Sequence, residues 1–357
     1  MKILTDIGHQ KNAHIMGQLA PLLRARGHVL HLIYRDRECL GDLCAALGLQ
    51  GECRGKGGEG WLGKLAYLLK ADVQLTRLTG RLKPDLLLSF ASPYLANVAG
   101  IRGIPMIVFD DTEDNRLVQR IYSRSATAII VPACFRKDLG SKQKRFSGYY
   151  ELAYLHPRRF TPDPEICNEL GLAGNEKLVL LRTVAWKAVH DLKHKGLGKD
   201  ELRLLVEELS KMARVIISAE GELPPELEQY RLRLAPEKIH HVMAAASLVF
   251  SEGATMAAEA AVLGVPTVHC SDLKPGYVAD LEKRHGLLRS FAHADFQCAL
   301  EAGMEILQGR GVTGDELAMR RDRMLAESVD VVEFMARQID LFMKQKGEDR
   351  EQRTDNR

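Results

Sequence analysis

The residues 251–266, SEGATMAAEAAVLGVP, spell an apolar strand end, a small-residue turn and a helix. Gly253 has no side chain, so a phosphate can come close to the backbone there. The first N–H groups of a helix lack internal partners, and its positive end favours an anion. Thr255 can cap the helix or donate a hydrogen bond. Glu259 follows at i+4 on the same helical face, where its carboxylate can accept from both hydroxyls of a ribose. Glu252 opens the turn and Asp272 closes the next strand, and both join the nucleotide-binding candidates. The alternative is an ordinary tight turn with Glu259 in solvent.

Three further segments carry chemistry. LRTVAWKAVHDLKHKG, 181–196, clusters Arg182, Thr183, Lys187, His190 and His194 after a strand, a set suited to clamping a diphosphate. His190 and His194 have the i, i+4 spacing of a zinc pair, but no third ligand stands at fixed spacing, so no metal and no cofactor is expected. Trp186 reads as packing. DIGHQKNAH, 6–14, puts His9 and His14 in or just after the first strand–helix turn. FDDTEDN, 109–115, crowds Asp110, Asp111 and Glu113 after a buried strand. Crowded carboxylates raise one another's pKa and can serve as base, sugar-hydroxyl acceptor or metal ligand. The plainer reading is a solvated acidic cap, with Asp114 or Asn115 capping the next helix. WLGKLAYLLKADVQLTRLTGRLK, 61–83, reads first as a core-packing helix with a basic outer face, and second as a helix touching an anionic membrane or lipid-linked acceptor. His240 and His241 begin the helix before Ser247.

The elements that must position these residues alternate along the chain. Strands are predicted at 2–7, 29–34, 85–89, 104–109 and 126–131, with helices between them. The pattern weakens at HPRRFTPDPEI, 156–166, and restarts with strands at 177–181, 215–218, 247–250 and 266–270. One unit occurs twice at a constant offset of 161 residues: strand, turn, helix, Gly-aliphatic-Pro, strand, with Gly103 and Pro105 matched by Gly264 and Pro266. The reading is α/β: two doubly wound, Rossmann-like domains facing across a cleft, with ligands at the carboxyl ends of the strands. Boundaries are set at 1–155 for the acceptor domain, 156–170 for a linker, 171–330 for the nucleotide-sugar domain, 331–346 for a last helix and 347–357 for a disordered tail.

Bulk composition fits that organisation. The 357 residues carry a formal net charge of +3, with 46% hydrophobic and 27% charged residues, which excludes disorder and a disulfide scaffold. Residues 1–150 hold 22 Lys and Arg against 13 Asp and Glu, and the remainder reverses the sign. The basic half suits an anionic or lipid-linked acceptor. Seven cysteines without a CxxC pair point to reduced thiols in the cytoplasm, with the inner face of a membrane as a peripheral contact. No signal peptide, membrane span or nucleic-acid motif is seen.

The run 239–266 resembles the nucleotide-sugar signature of GT-B glycosyltransferases. It is similar to the N-acetylglucosaminyltransferase that makes lipid II and to the non-hydrolysing UDP-N-acetylglucosamine 2-epimerases. That resemblance implies that Gly253, Ala254 and Thr255 hold a diphosphate and that Glu259 holds the ribose. Through DIGH (6–9), SPYLA (92–96), FDDTE (109–113), GYYELAYLHP (148–157) and EGATMAAEAAVLG (252–264), the chain from 1 to about 345 more closely resembles a family of archaeal and bacterial proteins known as a domain of unknown function with a GT-B-like fold. In the lipid II enzyme a glycine-rich loop precedes a His that His14 matches. A neutral imidazole there can take a proton from the acceptor hydroxyl. Asn12-Ala13 replaces the tandem glycines before it.

The expected function is therefore inverting transfer of a sugar from a nucleotide-diphosphate sugar, UDP-linked, to an unknown acceptor, without metal. A 2-epimerase-like isomerase is the alternative. Epimerases carry an Asp at the strand end near 90 and an acidic-glycine motif after the next strand, where this chain has SFASPY and FDDTED, although Glu113 can substitute. A non-catalytic nucleotide-sugar binder is the third reading.

Overall fold

The computed structural model describes residues 1–58, 60–184, 196–219, 221–312 and 314–355, and the structural statements below concern these. The chain divides into two units. The first comprises Met1–Ala133, Lys137–Tyr154 and Ser328–Arg357; the second comprises Cys134–Arg136 and Leu155–Glu327.

In the first unit the order is β1 (Lys2–Ile7), α1 (Gln10–Ala25), β2 (Val29–Asp36), α2 (Leu40–Ala46), β3 (Glu52–Lys56), α3 (Gly60–Leu82), β4 (Leu86–Ser89), α4 (Pro93–Arg102), β5 (Met106–Phe109), α5 (Arg116–Ser125), β6 (Ala128–Pro132), β7 (Gln143–Phe146) and α6 (Leu152–Leu155). The seven strands form one parallel sheet in the order β3-β2-β1-β4-β5-β6-β7. Its central strands are continuous apolar runs, such as LLLS and MIVF, buried at every residue. Strands covered by helices on both faces read this way rather than alternating. In register, Asp6 lies beside Ile33 and Ser89, which brings the ends of β1, β2 and β4 level.

The second unit contains α7 (Ile166–Glu169), β8 (Leu178–Thr183), α8 (Lys199–Ser210), β9 (Arg214–Ala219), α9 (Ile239–Ala244), β10 (Leu248–Ser251), α10 (Ala254–Leu263), β11 (Thr267–Cys270), α11 (Gly276–Lys283), β12 (Arg289–Phe291), α12 (Phe296–Leu307) and α13 (Gly314–Ala326). Its parallel sheet has the order β12-β11-β10-β8-β9. One core layer packs α8 and α12 on one face of the sheet, through Leu202, Leu205, Leu209, Ala299, Leu300 and Ile306. Another lies around α9 and α10, through Val242, Met243, Met256 and Ala260. Traced from β9, the order β9-β8-β10-β11-β12 repeats the first sheet's β2-β1-β4-β5-β6, so the internal echo is one topology used twice.

The structure adds β3, β7 and β12, which the sequence pattern does not show. Each lies at a sheet edge and is largely polar or exposed, so no apolar run marks it. The last helix, α14 (Val331–Asp355), belongs to the first unit and carries helical backbone past residue 346, where the sequence reading ends it. Its polar continuation is rich in Lys, Glu, Gln and Arg, all good helix formers. Among the described residues no helix is long and apolar enough to cross a membrane.

Candidate functional site

Both units place their candidate residues where β-strands end and helices begin. In the first, the loop after β1 turns into α1 at His9, whose extended backbone and ring Nδ1 cap the helix by accepting from the Lys11 amide at 3.2 Å. His14 lies one turn further and is 8% exposed; its ring stacks on Tyr154 with centroids 5.2 Å apart. Lys11 is itself buried, and its ammonium reaches Asp111 and, at 2.6 Å, Glu151. Glu151 is fully buried, and the burial raises its pKa while Lys11 opposes the rise. Its second oxygen, Oε2, has no hydrogen-bond partner among the described residues.

The acidic segment after β5 divides. Asp110 is buried and fully engaged: the Tyr122 hydroxyl donates to Oδ2 at 2.6 Å and the Thr112 amide to Oδ1 at 2.9 Å. Burial pushes its pKa up to about 6 against the pull of those hydrogen bonds. Asp111 takes Lys11. Glu113 is buried, and its carbonyl accepts from Lys137 and from Gln119. Asn115 caps α5, accepting from the Val118 amide at 3.3 Å.

In the second unit, Arg182 at the end of β8 donates to Ser218 Oγ at 3.0 Å, and Thr183 is buried. Glu252 is also buried and accepts from two backbone amides, Val184 at 3.2 Å and Leu197. It therefore ties Val184 to Leu197. A Cβ on Gly196 would stand 2.7 Å from Glu252 Oε1. Lys187 and His190, with Trp186 and His194, lie outside the described residues.

The turn into α10 is half-exposed at Gly253, Ala254 and Thr255. The Gly253 amide donates to Ser251 Oγ at 3.1 Å, and that hydroxyl donates to the Gly253 carbonyl at 2.8 Å. A Cβ on Gly253 would meet no protein atom nearer than 3.7 Å, and φ is −84°. Neither crowding by the protein nor backbone strain calls for glycine here. Glu259 faces α9, with Oε1 3.2 Å from His240 Nε2, and is buried rather than solvated. Beside it, His241 accepts from the Asp163 amide at 2.9 Å, and burial lowers its pKa. Asp272 is exposed and accepts from the His293 amide at 3.0 Å. His269 on β11 is fully buried, with its pKa pushed down to about 4 by burial.

Sequence reasoning missed Lys11, Glu151, Tyr122 and the buried pair Asp6–Arg54 (2.8 Å). Glu151 falls inside the distinctive GYYELAYLHP segment, which was the available signal. Its partner Lys11 lies 140 residues earlier, and no local spacing connects them.

Both sheets have the arrangement of GT-B proteins, and similar solved structures bear this out. The UDP-GlcNAc 2-epimerase from Neisseria meningitidis bound to UDP-GlcNAc matches with a TM-score of 0.66 at 14% identity, covering 91% of this chain and 99% of that one. The glycosyltransferase of kitacinnamycin matches with a TM-score of 0.58 at 16% identity, covering 96% and 98%. In sequence, the chain is 25% identical over 286 residues to the uncharacterized protein MJ0665 of Methanocaldococcus jannaschii, covering 76% of this chain and 82% of that protein. Residues 1–288 match the family model described as "Protein of unknown function (DUF354)", and the chain belongs to that family.

Proposed function

We propose that the protein is a glycosyltransferase that binds a nucleotide-diphosphate sugar, UDP-linked, through its second unit and transfers the sugar with inversion to an acceptor held by its first. Gly253 carries this reading. The fold itself does not require glycine there, whereas close approach of a diphosphate to the first amides of α10 does. Arg182 at the adjacent strand end adds a donor, and Glu259 supplies a carboxylate for the ribose once His240 yields it. Fixed donors of this kind stabilise a leaving diphosphate without a metal. On the acceptor side, His14 or Asp111 takes the hydroxyl proton, with Asp110 and Glu113 shaping the local charge. The reading places the enzyme in the cytoplasm, where its cysteines remain thiols.

A second reading, an isomerase of the 2-epimerase kind, is favoured by one observation. Lys11 bridges Asp111 and buried Glu151, with Asp110 close in sequence, a cluster of acids around one ammonium whose use in isomerisation needs no acceptor.

The test is to incubate the protein with UDP-, GDP- and TDP-sugars and follow products by mass spectrometry. Nucleoside diphosphate released only with an added acceptor supports transfer. An altered sugar without acceptor supports the isomerase instead. Binding without turnover across sugars and lipid-phosphate acceptors overturns both. Glu259→Gln should weaken UDP affinity about tenfold; unchanged affinity would remove the nucleotide from this site.

A further inference from the structure

Asp6 of β1, Arg35 of β2, Arg54 of β3, Tyr67 of α3 and Tyr94 of α4 meet in the first unit, and the proposed reaction uses none of them. Arg54 donates from Nε to Asp6 at 2.8 Å and from Nη1 to the Tyr67 hydroxyl. Its guanidinium carbon lies 4.5 Å from the Tyr94 ring centre and 5.5 Å from that of Tyr67. The guanidinium carbon of Arg35 lies 5.8 Å from the same Tyr67 centre, so two cations share one ring. Against them stands Asp6, which also accepts from Ser92 Oγ at 2.7 Å.

Among the described residues positive charge is thus in excess, and one donor is left over. Arg35 Nε is buried and has no hydrogen-bond partner among the described residues. A buried guanidinium donor without an acceptor is costly, and contact with an aromatic face offsets only part of that cost. A groove of about 820 Å³ between β3 and α3 is lined by Arg54 together with Lys70, Arg77 and Arg81. The acid in that lining, Glu52, pairs with Arg81 at 3.1 Å. Of the cluster, Arg54 is the residue in that lining, and the rim it meets there is basic.

We propose that Arg35 and Arg54 form an oxyanion subsite, taking a phosphate or carboxylate group of a small molecule, with Tyr67 and Tyr94 as its walls. Planar guanidinium groups match either oxyanion in two-point geometry. That the oxyanion belongs to a sugar acceptor rests on the function proposed above; the anion binding itself does not.

The experiment titrates the full chain, saturated with UDP, with inorganic phosphate and separately with acetate, while following arginine Nε–H signals by NMR. Wild type is expected to shift a buried arginine signal with one of the two, which names the oxyanion. Arg35→Gln should weaken that response at least about tenfold, and Arg35→Lys should retain part of it. Unchanged melting temperature without anion shows that Arg35→Gln still folds. No arginine response to either anion in wild type, or an undiminished response in Arg35→Gln, overturns the subsite. UDP affinity measured on the same samples separates the two ideas. Lost UDP binding with the anion response intact breaks the nucleotide reading alone, and the reverse breaks the subsite alone.

Discussion

The two units solve the same strand–turn–helix problem in opposite ways. In the first, β4 leads through Ser89 and Ser92 into α4, and in the second, β10 leads through Ser251 and Gly253 into α10. Both helices end on a left-handed glycine, Gly103 at φ 63° and Gly264 at φ 79°. Their starts differ. Ser92 accepts from the Leu95 amide, donates to buried Asp6, and is followed by Pro93. That helix end is closed by the protein's own side chains. At α10 the cap is Gly253, with no side chain, and among the described residues the serine hydroxyl binds only the turn's own backbone. A helix end closed from within is scaffold, and one left open can serve a ligand.

Four measurements can break or sharpen this contrast. The largest effect is expected from Asp6→Ala, which leaves Arg54 buried without its carboxylate. Urea denaturation should show a loss of about 3–5 kcal/mol, and a loss near zero would mean that the first unit's edge is not held by this pair.

The next is a pH effect of up to about 3 kcal/mol, set by the rise of Asp110 from 3.8 to about 6. A carboxyl group with a raised folded pKa binds its proton more tightly folded than unfolded. Its contribution is therefore full below about pH 4 and is lost as pH rises through about 6. Glu151, raised by burial, adds a slope of the same sign. Asp110→Asn should flatten the fall in stability between these pH values; an unchanged slope would assign it to other groups.

Gly253→Val should lower UDP affinity about ten- to a hundredfold, close to 1.4–2.8 kcal/mol, while changing the melting temperature little. If stability falls instead and affinity holds, the glycine serves the fold and the contrast between the two helix ends disappears. The smallest effect is Ser92→Ala, about 1 kcal/mol from the lost cap, with UDP affinity untouched.

What could be read from the sequence follows from range. The repeated Gly-aliphatic-Pro units and the apolar central strands are local signals, and they gave both doubly wound sheets. The edge strands β3, β7 and β12 were hidden because little of them is buried. At the sites, Gly253, Glu259 and the acids after β5 were visible as spacing. The engagement of Glu252 by Val184 and Leu197 depends on segments 68 and 55 residues away, and that of Asp110 by Tyr122 on the turn between β5 and α5. His14 shows the same limit: the resemblance to the lipid II enzyme implies a proton acceptor, while its stacking on Tyr154 joins residues 140 apart.

The return of α14 to the first unit sets an order of assembly. Arg26 pairs with Glu333 and Asp340, Phe334 packs 5.4 Å from Phe146, and Val332, Met335 and Ile339 are fully buried. A chain emerging from the ribosome has all of its second unit before this helix appears. Unit two can close first, while the surface of α1 and Phe146 that α14 packs on waits for its partner. That interval is when a chaperone has most to cover and when a truncated chain is most prone to aggregate.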